Sequence, residues 1–248
     1  TALGMWTMLV GMVVMMCLDT RYRHYGLFRQ WNWPCWRELR PLLVLGLPIG
    51  IGLFLETAIF ATVALLLGRL GAVAAAAHQV ALNVAAMTFM IPLGLSMATT
   101  VRVGHAMGAG DPRAARYSGL IGIALSGLFM AVMAVLIFVG HRTIARFYTD
   151  DAVVAAVAAG LLRLAAFFQI SDGLQVGALG ALRGLKDTRL PLVIVLVAYW
   201  LLAFPLAVLG VRAGLGPAGP WLGLIVGLTV AAVLLNLRFW RLSARRGR

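Results

Sequence analysis

Acidic residues are scarce in this sequence: eight Asp and Glu stand against twenty-one Lys and Arg over 248 residues, a net charge of +13. Lys186 is the only lysine. A retinal-type pigment needs a lysine inside an apolar span for its Schiff base, so that class is excluded. The two cysteines, Cys17 and Cys35, are too few for a disulfide framework and lack metal-ligand spacing; they read as free thiols. No nucleophile–base pair or metal motif points to an enzyme. Strict hydrophobic alternation is missing, which argues against a membrane β-barrel. The aromatic and glycine signature of RNA binders is missing, as is a long basic helix face, so nucleic acid does not account for the positive charge. Residues 1–18 have no basic leading region and are not a signal peptide.

Apolar residues are what the chain has in excess, at 62% against roughly 45–50% in ordinary soluble domains. A bilayer core of ~30 Å needs about 20 apolar residues per helix. Such runs lie near 1–18, 42–67, 73–101, 117–140, 152–182, 190–211 and 218–239. They predict an all-α membrane protein with seven transmembrane helices, joined at glycine- and proline-bearing turns such as "GAGDP" and "GLGPAGP". The bases sit at alternate joints. Arg21, Arg23, Arg29, Arg37 and Arg40 fall in one, and Arg102, Arg113 and Arg116 in the next on that side. Arg183, Lys186 and Arg189 follow, then Arg238, Arg241, Arg245, Arg246 and Arg248 in the tail. The opposite side holds only Arg69, Arg142, Arg146 and Arg212, with Arg163 inside a span. The excess predicts a multi-pass protein with a cytoplasmic C-terminus and a first helix starting outside. Pro48, Pro92 and Pro205 fall within spans and predict helix kinks.

Six of the eight acids lie in or beside loops, leaving Glu56 and Asp172 inside spans. Glu56 is ~21 Å from the cytoplasmic start of its helix and Asp172 ~16 Å from the cytoplasmic end of its own, so both sit near the midplane. Gln79 and Asn83, four residues apart, share a helix face at that level. Phe168, Gln169, Asp172 and Gln175 follow each other at short helical spacing around a second face. Hard oxygen donors of this kind suit Na⁺, and a desolvated carboxylate gains proton affinity. Ionisable residues within spans are functional candidates by default. The competing reading makes each acid a packing group hydrogen-bonded to the next helix, and makes Gln79 and Asn83 interhelical glue. Arg163 either snorkels outward or balances charge in a cavity. His78, His105 and His141, near span ends, are expected at the interface.

The segments "LGLPIGIGLFLETAIFATVALL", "AAAHQVALNVAAMTFMIPLGLSMATTVRVGHAMGAGDPRAAR", "AAFFQISDGLQVGALGALRGLKDTRLP" and "GPAGPWLGLIVGL" resemble the second half of a NorM-type multidrug and toxin extrusion (MATE) transporter. The likeness runs from about Pro41 to Arg241. It implies that 1–18 is the last helix of a preceding lobe, cut short, and that 19–41 is the cytoplasmic inter-lobe linker. Residues 42–242 then form a six-helix C-lobe and 243–248 a basic cytoplasmic tail. Two such lobes would exchange Na⁺ or H⁺ for small cationic, amphipathic organic compounds across a bacterial inner membrane. No cofactor is implied. The partners are the lipid bilayer and the missing N-terminal lobe, with no nucleic acid. The family's cation site falls on Glu56 and Asp172, with Gln79, Asn83, Phe168, Gln169 and Gln175 as candidate lining and Na⁺ as the metal if sodium drives transport. The family pattern often carries a tyrosine four residues before the aspartate, where this chain has Phe168, so a hydroxyl ligand is lost. A related lipid-linked oligosaccharide flippase would want several arginines in its cavity. A receptor or scaffold would not need paired acids, and a channel would want a filter or charge ring.

Overall fold

The computed structural model describes residues 2–18 and 35–246, so most of the expected linker, 19–34, and the end of the basic tail lie outside the described residues. The chain divides into two units, Thr1–Val44 and Leu45–Arg248. The first holds α1 (Ala2–Leu18), apolar throughout, and the opening turns of α2 (Trp36–Gly68). The second holds the rest of α2, then α3 (Ala72–Gly108), α4 (Pro112–Tyr148), α5 (Ala152–Gly184), α6 (Arg189–Arg212) and α7 (Ala218–Arg246). All described elements are helical. Six helices are long and apolar enough to cross a membrane, and α1, at 17 residues, is shorter than these.

The helices outrun the apolar stretches. The segment expected at 73–101 extends to Gly108, and the one expected at 117–140 runs from Pro112 to Tyr148. Arg102, Arg113, Arg116, Arg183, Arg189 and Arg238, assigned to loops by their charge, are all helical. Arginine is a good helix former, and a 37-residue helix is ~55 Å long against a ~30 Å hydrocarbon core, so charged turns project past it. The turns between are correspondingly tight. Asp111 caps α4 by accepting from the Ala114 amide at 2.9 Å, with Pro112 in the first turn. Asp151 caps α5 by accepting from the Val153 and Val154 amides at 2.8 and 3.2 Å.

The centre of the second unit is α5, packed on α3, α4 and α7. Its approach depends on glycines at three- and four-residue spacing. A Cβ at Gly177 would stand 2.9 Å from the Ile123 Cα on α4, and one at Gly184 would stand 2.9 Å from the Thr100 carbonyl on α3. Small residues that let backbones close in are the usual device of helix packing in lipid. Thr100 adds an interhelical bond, donating to the Gly180 carbonyl at 2.8 Å. By contrast, α2 buries only Ile59, Val63 and Leu67 and meets its neighbours through side chains.

The prolines act differently from one another. Pro48 and Pro92 lie inside helices that continue on both sides. Pro205 stands in the first turn of Phe204–Arg212, directly after Val197–Ala203, which winds as a π-helix. Its missing N–H therefore falls where the change of winding already interrupts the regular bond pattern.

Candidate functional site

The π-helical stretch of α6 carries Tyr199 and Trp200, and both reach α2. Trp200 donates through Nε1 to the Leu55 carbonyl at 3.3 Å. One residue on, the Tyr199 hydroxyl donates to Glu56 Oε1 at 3.4 Å. Gln175, on α5, donates through Nε2 to the same Oε1 at 3.5 Å and also to the Tyr199 hydroxyl. Both contacts to Glu56 are long. Tyr199 and Gln175 are fully buried, and Glu56 is partly so. Three helices thus converge on one carboxylate.

Asp172 lies on α5, one turn before Gln175. It is 5% exposed and makes no hydrogen bond among the described residues. Gln175, one turn on from it, is the α5 residue that bonds Glu56. A carboxylate this dry costs several kcal/mol unless a proton or cation neutralises it. Gln175 Oε1 adds a second unmet demand, being buried with no donor. Two carboxylates, an orphaned amide oxygen and a phenol oxygen form a hard donor set. Among the described residues no group of three His, Cys, Asp or Glu is placed to hold a metal, so neutral oxygens must complete any shell.

The other residues singled out from the sequence are placed elsewhere. Gln79 and Asn83 share a face, as their spacing requires, but that face is exposed and Gln79 bonds Asn83 at 3.1 Å. Gln169 is fully buried and donates to the Thr88 hydroxyl on α3, not to either acid. Phe168 stacks edge-on between Phe60 and Trp221, with both centroid distances 5.9 Å. A phenol at that position would point into a ring cluster. The hydroxyl that meets Glu56 comes instead from Tyr199, which the sequence reading missed. A tyrosine–tryptophan pair in an apolar run reads as interfacial, and its π-winding leaves no mark in the periodicity.

One expectation about basic groups needs correction. His78 is not interfacial: it is 2% exposed, its ring 5.8 Å from that of Trp221, and neither ring nitrogen has a partner. Arg163 does not enter the acid cluster. It lines a groove of about 560 Å³ with His141, Arg142, Arg146 and Asp150, between the end of α4 and the start of α5. The base beside Glu56 is Arg183, in the last turn of α5. The two share a cavity of about 30 Å³ with Pro48, Gly52, Asp187 and Thr188 among its walls.

Residues 48–209 match the family MatE. The chain is 48% identical over 246 residues to a "Probable multidrug resistance protein NorM" of Xanthomonas campestris pv. campestris, covering 99% of this chain and 54% of that protein. It is 46% identical over 250 residues to "Multidrug resistance protein PmpM" of Pseudomonas aeruginosa, covering 98% and 52%. Among solved structures, the eukaryotic MATE transporter AtDTX14 superposes with a TM-score of 0.86 at 22% identity, covering 98% of this chain and 55% of that one. The chain therefore spans about half the length of the curated relatives it matches. These relatives are transporters, not enzymes, and on the strength of the family match and its membrane-spanning helices the chain belongs to the MatE family.

Proposed function

We propose that this chain forms the cation-binding lobe of an antiporter, working with a second six-helix lobe to exchange Na⁺ or H⁺ for cationic, amphipathic compounds. The observation that carries this reading is the pairing of Asp172, buried without a hydrogen bond, with Glu56, beside which Gln175 Oε1 is left without a donor. Interacting carboxylates titrate as a pair, so one ion can satisfy both. A cationic substrate entering the inter-lobe cleft competes for the same negative charge, which couples its exit to the entry of the ion. Rocking of the lobes about this site supplies alternating access. The likeness to multidrug resistance proteins of Xanthomonas and Pseudomonas supports a bacterial inner membrane and drug-like substrates. The arginine bias supports a cytoplasmic C-terminus.

One observation favours a second reading. The groove holding Arg142, Arg146 and Arg163 has the charge that a flippase for pyrophosphate-linked lipids would use. It lies apart from the carboxylates, and the family match does not require it. The deciding experiment is efflux of a cationic dye from vesicles containing the two-lobed protein, with Na⁺ and H⁺ gradients imposed separately. One gradient should drive efflux. Efflux driven by neither would overturn the antiport reading.

A further inference from the structure

The cavity that Glu56 shares with Arg183 contains an unusual charge arrangement. Arg183 belongs to α5, eleven residues beyond Asp172, and its side chain makes no ion pair or hydrogen bond among the described residues. An arginine at such a position ordinarily pairs with the nearest carboxylate. Asp187 also lines the cavity but is engaged elsewhere: Arg238 on α7 donates to it through Nε at 2.8 Å. Arg183 and Glu56 line one cavity, and no ion pair within 4 Å joins them. The space between is about 30 Å³, room for one or two water-sized particles. The five donors of Arg183, on a flexible stem, thus share a small cavity with a carboxylate that is held by two long hydrogen bonds.

We propose that Arg183 is the tethered counter-cation of Glu56, moving in to neutralise the carboxylate when the coupling ion leaves and being displaced when the ion returns. This rests on the reading of Glu56 as a coupling carboxylate. The physical need is plain. A dry, ion-free Glu56 beside Asp172 would leave two negative charges in an apolar lobe, raising the energy of every state without bound ion. A resident arginine removes that penalty and weakens ion binding by the same amount, so the ion can be released. The cavity walls continue from Arg183 to Asp187 and Thr188 at the α5–α6 turn. Arg183 is on this account a positioning residue; it touches neither drug nor ion.

The test uses the two-lobed protein in vesicles, with dye efflux followed against stepped Na⁺ at fixed pH and against stepped pH without Na⁺. Arg183→Gln should lower the half-saturating concentration of the driving cation about tenfold, because its competitor is gone, and should slow maximal efflux through slow release. Arg183→Lys should stay within about threefold of the parent. A purely structural arginine would not raise cation affinity when removed. An unchanged half-saturation with Arg183→Gln, while Glu56→Gln abolishes cation-driven efflux, would overturn the counter-cation role and leave the coupling site standing. Cation-driven efflux that survives Glu56→Gln would overturn the coupling reading itself. Should Arg183→Gln fail to insert, the double variant Arg183→Gln, Glu56→Gln decides. It should insert and match the Tm of Glu56→Gln alone in cation-free detergent, since removing the carboxylate removes the need for its counter-cation; a double variant that also fails to insert would overturn the proposal.

Discussion

Tyr199, which the sequence did not single out, supplies the hydroxyl beside Glu56, and Phe168 supplies none. The resemblance places a hydroxyl ligand four residues before Asp172, and this chain has a phenyl ring there, packed between Phe60 and Trp221. The hydroxyl beside Glu56 arrives from α6. Depth along the spans puts Glu56 and Asp172 at one level, and spacing puts Gln175 near them, so those three are legible from sequence alone. Depth says nothing about rotation, which is why Gln79 and Asn83 share the level but face outward, and Gln169 binds Thr88. Arg183 was read as a flanking charge because a base at the end of an apolar run has that meaning nearly everywhere. Tyr199→Phe keeps the ring packing and removes only the hydroxyl. A hydrogen bond to a charged group contributes about 1.5–3 kcal/mol, so the half-saturating cation concentration for efflux should shift about tenfold. It should rise if the ion is Na⁺, which loses an oxygen ligand, and fall if the ion is H⁺, since the carboxylate loses a donor. A shift under twofold in stepped-cation assays would remove Tyr199 from the shell.

At the level of elements, existence and order were readable because each span is a long apolar run, and polarity failed only at the ends. Helices do not stop at the first arginine; α3 and α6 stop just before the positive-φ Gly110 and Gly214, and α4 and α5 start where Asp111 and Asp151 cap them. The packing of α5 was hidden for a different reason, since a glycine in an apolar run does not say which neighbour it meets. Gly180 and Gly160 make the distinction measurable. A Cβ at Gly180 would stand 2.5 Å from the Ser96 carbonyl and must push α3 and α5 apart, whereas nothing lies within 4 Å of a Cβ at Gly160. Gly180→Ala should therefore cost about 1–3 kcal/mol and lower Tm in detergent. Gly160→Ala should be neutral or gain up to ~1 kcal/mol from helix propensity. Equal behaviour of the two would contradict the close approach of α3 and α5. The loosely packed α2 buries only Ile59, Val63 and Leu67 and is joined to the rest by Glu56, Phe60 and the Trp200–Leu55 bond.

For the molecule as a whole, the membrane class follows from composition and the family from its motifs, while the chemistry depends on where four side chains from three helices meet. The central claim is that Glu56 and Asp172 serve one ion. Its most direct test is a double-mutant cycle on gradient-driven dye efflux by the two-lobed protein, with equal membrane expression checked for every variant. Asn and Gln keep the size and hydrogen-bonding capacity of the acids but remove the charge. Asp172→Asn and Glu56→Gln should each nearly abolish efflux, and the double mutant should be little worse than either, because one ion is lost only once. Near-normal efflux by Asp172→Asn, or losses that simply add in the double mutant, would contradict a shared cation site.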